Sequence, residues 1–436
     1  MDSSVVLSFF IVLLLVGVRI PVTAVLSLAG FFGVWYIDGW QVAVGVLKSI
    51  PFEFAASWSL SSVPMYLLMG YFAFHSGMAD RLYESIRVWV GRFPGALAIT
   101  TVFGCAGFGA VCGSSGATAA AFGRIAIPVM LKDGYQPALA AGSIAASGTM
   151  GSLMPPSVLM IIYAVLTEES IGRVFMAGVI PCIVSAAIYA LMIYTRVKID
   201  PVLAPTREVR SFSWDTRLKA LGKLWDVYIV VLIVFGGIYS GIFTATEAGA
   251  CGAFAVLAIN LPLGRLNKQK IKESVKETIS ITSMVLLIAV GANLYTRFLA
   301  LGGLNQYLLD WATGGELNAG QLMFLLFGIY FVLGMFLDPI GCMLLTIPTF
   351  LPVLDALHVN MVWFAIIVIK NMELAMVTPP VGLNVFIIKG VIPEVPIEKI
   401  FRGIFWFAIM DLLTLLIIYL VPQLSLFLPN YMFGKG

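Results

Sequence analysis

The chain is poor in charge. Asp, Glu, Lys and Arg make up 11% of its 436 residues, whereas soluble domains carry about a quarter. A soluble protein of this length would still need a charged skin around its core. The shortage excludes a soluble enzyme, a disordered chain and a nucleic-acid binder. Histidine is scarcer still: His75 and His358 lie far apart, near segment ends. Neither has a third ligand type beside it, so no metal centre built on histidine is expected. The five cysteines (Cys105, Cys112, Cys182, Cys251, Cys342) stand in apolar or small-residue runs without CxxC spacing. They read as small core side chains, not as disulfides or metal ligands. No A-x-A-type cleavage site follows the first apolar run, so residues 5–17 read as a retained span.

What is present is apolar surface. Hydrophobic residues make up 60% of the chain and aromatics 12%, with a mean hydropathy of +0.99. A spanning helix needs roughly 20 apolar residues, so the composition predicts an all-α polytopic membrane protein with on the order of a dozen spans. The formal net charge of +3 is too balanced to imply an anionic polymer as partner. Where the charges sit matters more than their sum.

Apolar segments fall near 4–18, 20–37, 62–77, 96–112, 117–131, 135–166, 171–195, 226–242, 246–263, 280–301, 319–337, 342–354, 360–389 and 400–422. Between 196 and 223 lie Arg196, Lys198, Arg207, Arg210, Arg217, Lys219 and Lys223, against Asp200, Glu208 and Asp215. So basic a stretch stays in the cytoplasm. A second basic stretch carries Arg265, Lys268, Lys270, Lys272 and Lys276, with Ile271, Val275 and Ile279 at every fourth position. It predicts an amphipathic helix on the inner membrane surface. Residues 81–92, with Arg81, Arg87 and Arg92, predict another.

Fixing these stretches inside orients the rest. The Phe243–Thr246 connection and the Thr167–Ser170 loop fall outside, and Lys132–Gln136 falls inside. Residues 96–112 and 117–131 must then enter from the inside and return there. Each is near 25 Å long at about 1.5 Å per residue, short for a crossing. Their junction, Gly113-Ser114-Ser115-Gly116, predicts the tip of a re-entrant helical hairpin. The pair 319–337 and 342–354, joined at Asp338-Pro339-Ile340-Gly341, enters and returns on the outside. Setting the hairpins aside leaves an even number of spans, so both termini are expected outside, with Arg19 just inside.

The halves share a plan. Pro155-Pro156 and Pro379-Pro380 are 224 residues apart, and at that offset Ser114 falls on Asp338, Pro128 on Pro352 and Ser147 on Asn371. Gly178 matches Gly403 one residue further on. Similar halves of opposite orientation, each with a discontinuous helix, are a pattern of secondary transporters. The expected organisation is residues 1–61 as N-terminal scaffold helices with a surface segment. Residues 62–195 form a first repeat core with hairpin 96–131 and broken helix 135–166. Residues 196–279 hold the basic loop, scaffold helices and amphipathic helix. Residues 280–436 form a second repeat core with hairpin 319–354, broken helix 360–389 and a final span.

The chemistry is expected at two tips and two breaks, 147–156 and 371–380. A proline pair removes donors and clashes with the preceding turn, freeing carbonyls that are hard oxygen ligands for Na⁺. Hydroxyls of Ser114, Ser115, Thr149 and Thr378 can complete such shells. Half-helix N-termini suit an anionic substrate in a polar cavity between the two cation sites. Several readings stay open. The serines of the first tip also suit close packing. Asp338 is a helix cap or a site residue. Glu373 is a proton carrier or a structural acceptor. Arg124 and Arg297 bind a carboxylate or snorkel to an interface, and Glu247 caps or anchors an outer turn.

Several runs together resemble one family. They are Pro64-Met65-Tyr66-Leu67-Leu68-Met69-Gly70, Gly113-Ser114-Ser115-Gly116-Ala117-Thr118, Gly134-Tyr135, Met154-Pro155-Pro156-Ser157, Gly241 through Ala248, and Thr378-Pro379-Pro380-Val381-Gly382-Leu383-Asn384. In this order they resemble the large membrane subunit of tripartite ATP-independent periplasmic (TRAP) transporters, over nearly the whole chain. The resemblance implies Na⁺-driven import of an organic acid, such as a dicarboxylate or sialic acid, across the bacterial inner membrane. It implies two partners, a small four-helix membrane subunit and a soluble periplasmic substrate-binding protein. It also implies an elevator fold, with a scaffold and a mobile transport domain. Carried over, the first sodium site involves Ser114, Ser115, Gly148, Thr149 and Gly151. The second involves Asp338, Gly341, Asn371, Thr378 and nearby carbonyls such as that of Met376. Substrate lies near Gly116, Ser147, Pro156 and Asn384. No extra four-helix stretch precedes the first span, so the unfused form is expected. Na⁺ is the coupling ion, with no other cofactor.

Two alternatives stand beside this reading. One is a self-sufficient Na⁺/anion symporter that needs no binding protein. The other is an intramembrane enzyme using Asp338 or Glu373 as acid or base, which the sequence disfavours because it holds no His cluster, Ser-His pair or paired-Asp motif. A channel suits two opposed hairpins less well than alternating access does.

Overall fold

The computed structural model describes residues 3–18, 20–205, 212–314 and 319–434. Arg19, Arg207, Glu208 and Arg210, whose charges bear on the topology, lie outside the described residues. Within them the chain is helical throughout, with no strand. The first half runs α1 (Ser3–Gly17), α2 (Val22–Asp38), α3 (Trp40–Ala56), α4 (Ser62–His75), α5 (Met78–Val90), α6 (Ala96–Cys112), α7 (Ser115–Lys132), α8 (Pro137–Ser147), α9 (Met150–Leu153), α10 (Val158–Leu166) and α11 (Ile171–Ile199). After it come α12 (Trp214–Gly222), α13 (Trp225–Val231), a π-helical turn, α14 (Gly237–Tyr239), α15 (Ala245–Asn260) and α16 (Lys268–Leu301). The chain ends with α17 (Leu304–Thr313), α18 (Ala319–Gly334), α19 (Pro339–Ala356), α20 (Met361–Val377), α21 (Leu383–Val391), α22 (Ile397–Leu420) and α23 (Gln423–Phe433).

By length and composition, four described helices can cross a membrane: α11, α16, α19 and α22. Two bent pairs qualify together, α8–α9 with α10 (43°) and α12 with α13–α14 (50°). Four short helices were not expected as such: α3, α12, α17 and α23. The basic stretch at 268–279 is not a separate surface helix either. It continues unbroken into the apolar run 280–301 as the 34-residue α16. No proline interrupts it, and its polar N-terminal turns simply extend beyond the apolar part.

Small residues let the helices approach. A Cβ on Gly30 of α2 would run into the Leu294 and Tyr295 backbone of α16, and one on Gly291 would meet Ser27 at 2.8 Å. On α22, a Cβ on Gly403 would run into the Ala138 carbonyl of α8. In membrane proteins such backbone-to-backbone approach replaces the hydrophobic driving force available in water. The sequence match pairs Gly403 with Gly178, yet they serve different contacts. Gly178 lies against Met160 and the Leu153 carbonyl of its own half.

The basic stretches gather at one end of the molecule. Asp226, fully buried, accepts from Arg81 (2.5 Å) and Arg265 (2.9 Å). His75 meets Glu277 at 3.2 Å, and the Gln136 amide donates to Leu203 (3.0 Å). The opposite end is tied by Tyr66 to Ala245 (2.7 Å), Tyr163 to Met361 (2.8 Å) and Trp363 to Ile418 (3.0 Å). Arg124, exposed, stacks over Phe74 at 5.9 Å, and Arg297 is also exposed.

Candidate functional site

The first hairpin forms because two apolar helices meet at residues that cannot continue either one. Gly113 closes α6 in the left-handed region (φ 66°), a conformation that favours glycine. Ser114 then caps α7, its hydroxyl accepting from the Ala117 amide at 3.5 Å. At the far ends, the Leu97 amide donates to the Tyr135 hydroxyl (3.2 Å), so α6 and α7 start and finish at the same end of the molecule.

The tip of this hairpin sits on the first break. The Val158 amide donates to the Gly113 carbonyl (3.2 Å). A Cβ on Gly113 would fall 2.5 Å from the Pro156 carbonyl oxygen. One on Gly151 would fall 2.5 Å from Thr118 Oγ1 and 2.8 Å from the Ser114 carbonyl oxygen, and Gly148 packs against Ala119. Ser114, Gly148 and Gly151 are therefore brought together. The Thr149 hydroxyl points back along its helix to the Ala146 carbonyl (2.7 Å). Ser115 faces the other way and meets Met376 Sδ of the second broken helix at 3.9 Å.

The second tip is built from different parts. Asp338 caps α19, its carboxylate accepting from the Gly341 amide at 3.0 Å. A Cβ on Gly341 would meet Ile288 of α16 at 3.4 Å. Nearby, Gly334 lies against Ala375 and Met372 of α20. The Asn371 amide group donates to the Phe327 carbonyl (2.9 Å), and the Thr378 hydroxyl donates to Leu374 (2.7 Å). The contacts do not bring these candidates into one shell: Asp338 and Gly341 meet each other and Ile288, Asn371 ties to Phe327 and Thr378 to Leu374, and Met376 meets Ser115 of the first tip.

The substrate candidates divide as well. Gly116 of α7 packs on Ile387 of α21. The Asn384 amide group of α21 donates to the Ala145 carbonyl (3.2 Å), two residues from Ser147. These three therefore converge where α7, α8 and α21 meet. Pro156 is buried beneath Gly113 instead. Among the described residues, the buried Ser147 and Ser157 hydroxyls and the Oδ1 atoms of Asn371 and Asn384 find no partner. Leaving such atoms unpaired is costly, and together they make a set of oxygen acceptors around the breaks. Oxygen donors of this kind suit a hard monovalent cation.

Behind the breaks lies a charged cluster that sequence reasoning saw only in part. Lys370, fully buried, pairs with Glu373 (3.0 Å) and with Asp411 of α22 (2.6 Å). Its ammonium lies 5.7 Å from the Tyr189 ring of α11, and Ser152 of the first break lies beside Glu373. Glu373 is thus paired inside the protein. The three-residue step from Lys370 to Glu373 was a readable signal, but the link to Asp411 was not.

A model of the DctM component of the tripartite ATP-independent periplasmic transporters matches residues 7–424. The chain belongs to this family. A C4-dicarboxylate TRAP transporter large permease protein of Pseudomonas aeruginosa is 36% identical over 87% of this chain and 88% of its own length. An ectoine TRAP transporter large permease protein of Halomonas elongata is 30% identical over 99% of this chain and 100% of its own. These TRAP relatives are named as transport permeases, not enzymes, and the chain is likewise no enzyme. Among solved structures, the YdaH transporter of Alcanivorax borkumensis superposes with a TM-score of 0.60 at 15% identity, covering 99% of each chain. That likeness establishes a shared fold. As a TRAP large permease, the chain is a multi-pass membrane protein.

Proposed function

We propose that the chain imports an organic acid across the bacterial inner membrane by Na⁺ coupling. A soluble binding protein delivers the acid from the periplasm, and a small four-helix membrane subunit completes the complex. Relatives named for C4-dicarboxylate, ectoine and sialic acid favour a carboxylate, and one named for isethionate a sulfonate, so an organic acid group is the shared substrate chemistry. The observation that carries this reading is the seating of the Gly113–Gly116 tip on the 147–156 break, with unpaired oxygens of Ser147 and Asn384 beside it. Site 1 uses Ser114, Ser115, Gly148, Thr149 and Gly151, and site 2 uses Asp338, Gly341, Asn371, Met376 and Thr378. Substrate occupies the space near Gly116, Ser147 and Asn384. The two halves act as inverted repeats, and the hairpins and broken helices move together as an elevator, with both termini periplasmic.

The test is uptake by proteoliposomes holding the chain and its small subunit, with labelled succinate, sialic acid and ectoine as probes. Uptake that needs both an inward Na⁺ gradient and the binding protein is the expected result. Uptake without any binding protein would make the chain a self-sufficient symporter, and uptake indifferent to Na⁺ would remove both cation sites.

A further inference from the structure

The basic stretch between α11 and α13 contains a helix that the transport reading does not use. In α12, Trp214, Leu218 and Leu221 recur at helical spacing and are 67%, 62% and 36% exposed. They form one narrow apolar stripe on a helix that is otherwise polar. The neighbouring face is docked. Ala220 is buried and its carbonyl accepts from the Ser85 hydroxyl of α5 (3.0 Å). Arg217 lies over the rings of Trp89 (5.8 Å) and Trp214 (5.1 Å). The third face carries Asp215 and Lys219, paired at 2.6 Å, with Lys223 one turn on.

The helix is also held in place. It meets α13–α14 at 50°, and the junction is pinned by Asp226, which takes Arg81 and Arg265 together. A helix fixed at that angle does not continue the direction of the helix that follows it.

We infer that the Trp214–Leu218–Leu221 face docks into the anionic cytoplasmic leaflet of the bilayer, with Lys219 and Lys223 at its headgroups. The stripe is Trp and Leu, with the Trp214 ring set edge-on to Trp89 at 6.1 Å and basic side chains beside it. That is the chemistry of an interfacial helix on an anionic surface. Because α5 packs on α6 through Leu82 against Gly107, the leaflet would bear through α12 and α5 on the first hairpin.

The inference rests on the membrane reading, and one experiment separates the two. On a Cys251→Ser background, nitroxide labels are placed by Leu218→Cys, Lys219→Cys and, as control, Leu287→Cys. Leu287 is 59% exposed on α16. The full chain with its small subunit is set in nanodiscs of phosphatidylglycerol and phosphatidylethanolamine. The label at 218 should collide with oxygen several-fold more than the label at 219, and the label at 219 should favour a water-soluble nickel chelate. Replacing phosphatidylglycerol by phosphatidylcholine, or adding Lys223→Gln, should shift the 218 label toward the aqueous value. Equal nickel exposure at 218 and 219 would overturn the inference. So would a 218 label shielded from both probes, which would mean a protein partner covers the face. No response to phosphatidylglycerol would overturn the anionic assignment. A water-exposed label at 287 would instead sink the membrane reading itself.

Discussion

The two proline breaks are built on one plan and end up in different surroundings. At the first, Pro155, Pro156 and Ser157 are buried under the tip of their own hairpin. At the second, Pro379, Pro380 and Val381 are exposed. The cause lies in the tips. Gly113 brings a backbone with no side chain onto Pro156. The second tip spends its carboxylate on capping α19, and its Gly341 faces Ile288 rather than the break. The contrast teaches that duplicated sequence specifies the helix interruptions but leaves their enclosure to individual residues at the tips. The proposed cation sites differ accordingly: the first break is enclosed and the second is open.

The largest effect is expected where the second broken helix is anchored. Lys370→Met leaves Glu373 and Asp411 buried without their cation. Losing one partner of a buried ion pair costs about 3–5 kcal/mol, so the variant should unfold well below the parent in detergent melts. Asp411→Asn keeps the Lys370–Glu373 pair and should cost clearly less. Equal melting losses would show that the cluster does not work as a shared cation. A smaller but still severe effect is expected at the first tip. Gly113→Ala places a Cβ against the Pro156 carbonyl at a positive φ, and a strained backbone of this kind costs about 1–3 kcal/mol. Na⁺-driven uptake should fall by about fivefold or more at unchanged expression, since one to two kcal/mol is a factor of about 5–30. At the second tip, Gly341→Ala meets only the Asp338 carboxylate at 2.9 Å and Ile288 at 3.4 Å, and should cost less uptake. A reversed order would break the comparison.

Much of this contrast was invisible in the sequence, though its frame was not. The hairpin at 96–131 and the two proline breaks stand out because apolar runs stop at Gly, Ser and Pro, which end helices for local reasons. The short helices α3, α12, α17 and α23 were missed because they lie between or beyond the long apolar runs and are shaped by what they pack against. For α23, that is Gly172 and Ile238 beside Phe433. The unbroken α16 was divided because its composition changes near residue 280, while the backbone carries no break there. Lys370 and Asp411 lie 41 residues apart, and only the packing of α20 on α22 joins them. Of the site, residue types and breaks were legible. Which oxygens are already engaged, as with Thr149, Thr378 and Asp338, depends on rotamers that no spacing specifies.

The smallest expected effect sharpens the comparison most finely. Ser115→Ala removes a hydroxyl beside Met376, and Thr378→Ala removes one that now bonds Leu374. The double variant should fold normally and raise the Na⁺ concentration for half-maximal uptake severalfold. Unchanged Na⁺ cooperativity would count against both sites.

Hydrogen exchange with and without Na⁺ reads both breaks at once. With choline as the replacement ion, amides at 378–384 should exchange faster than those at 151–158, and adding Na⁺ should slow the former several-fold while changing the latter little. If Na⁺ alters exchange at neither break, the cations do not bind at the tips and breaks of the two hairpins.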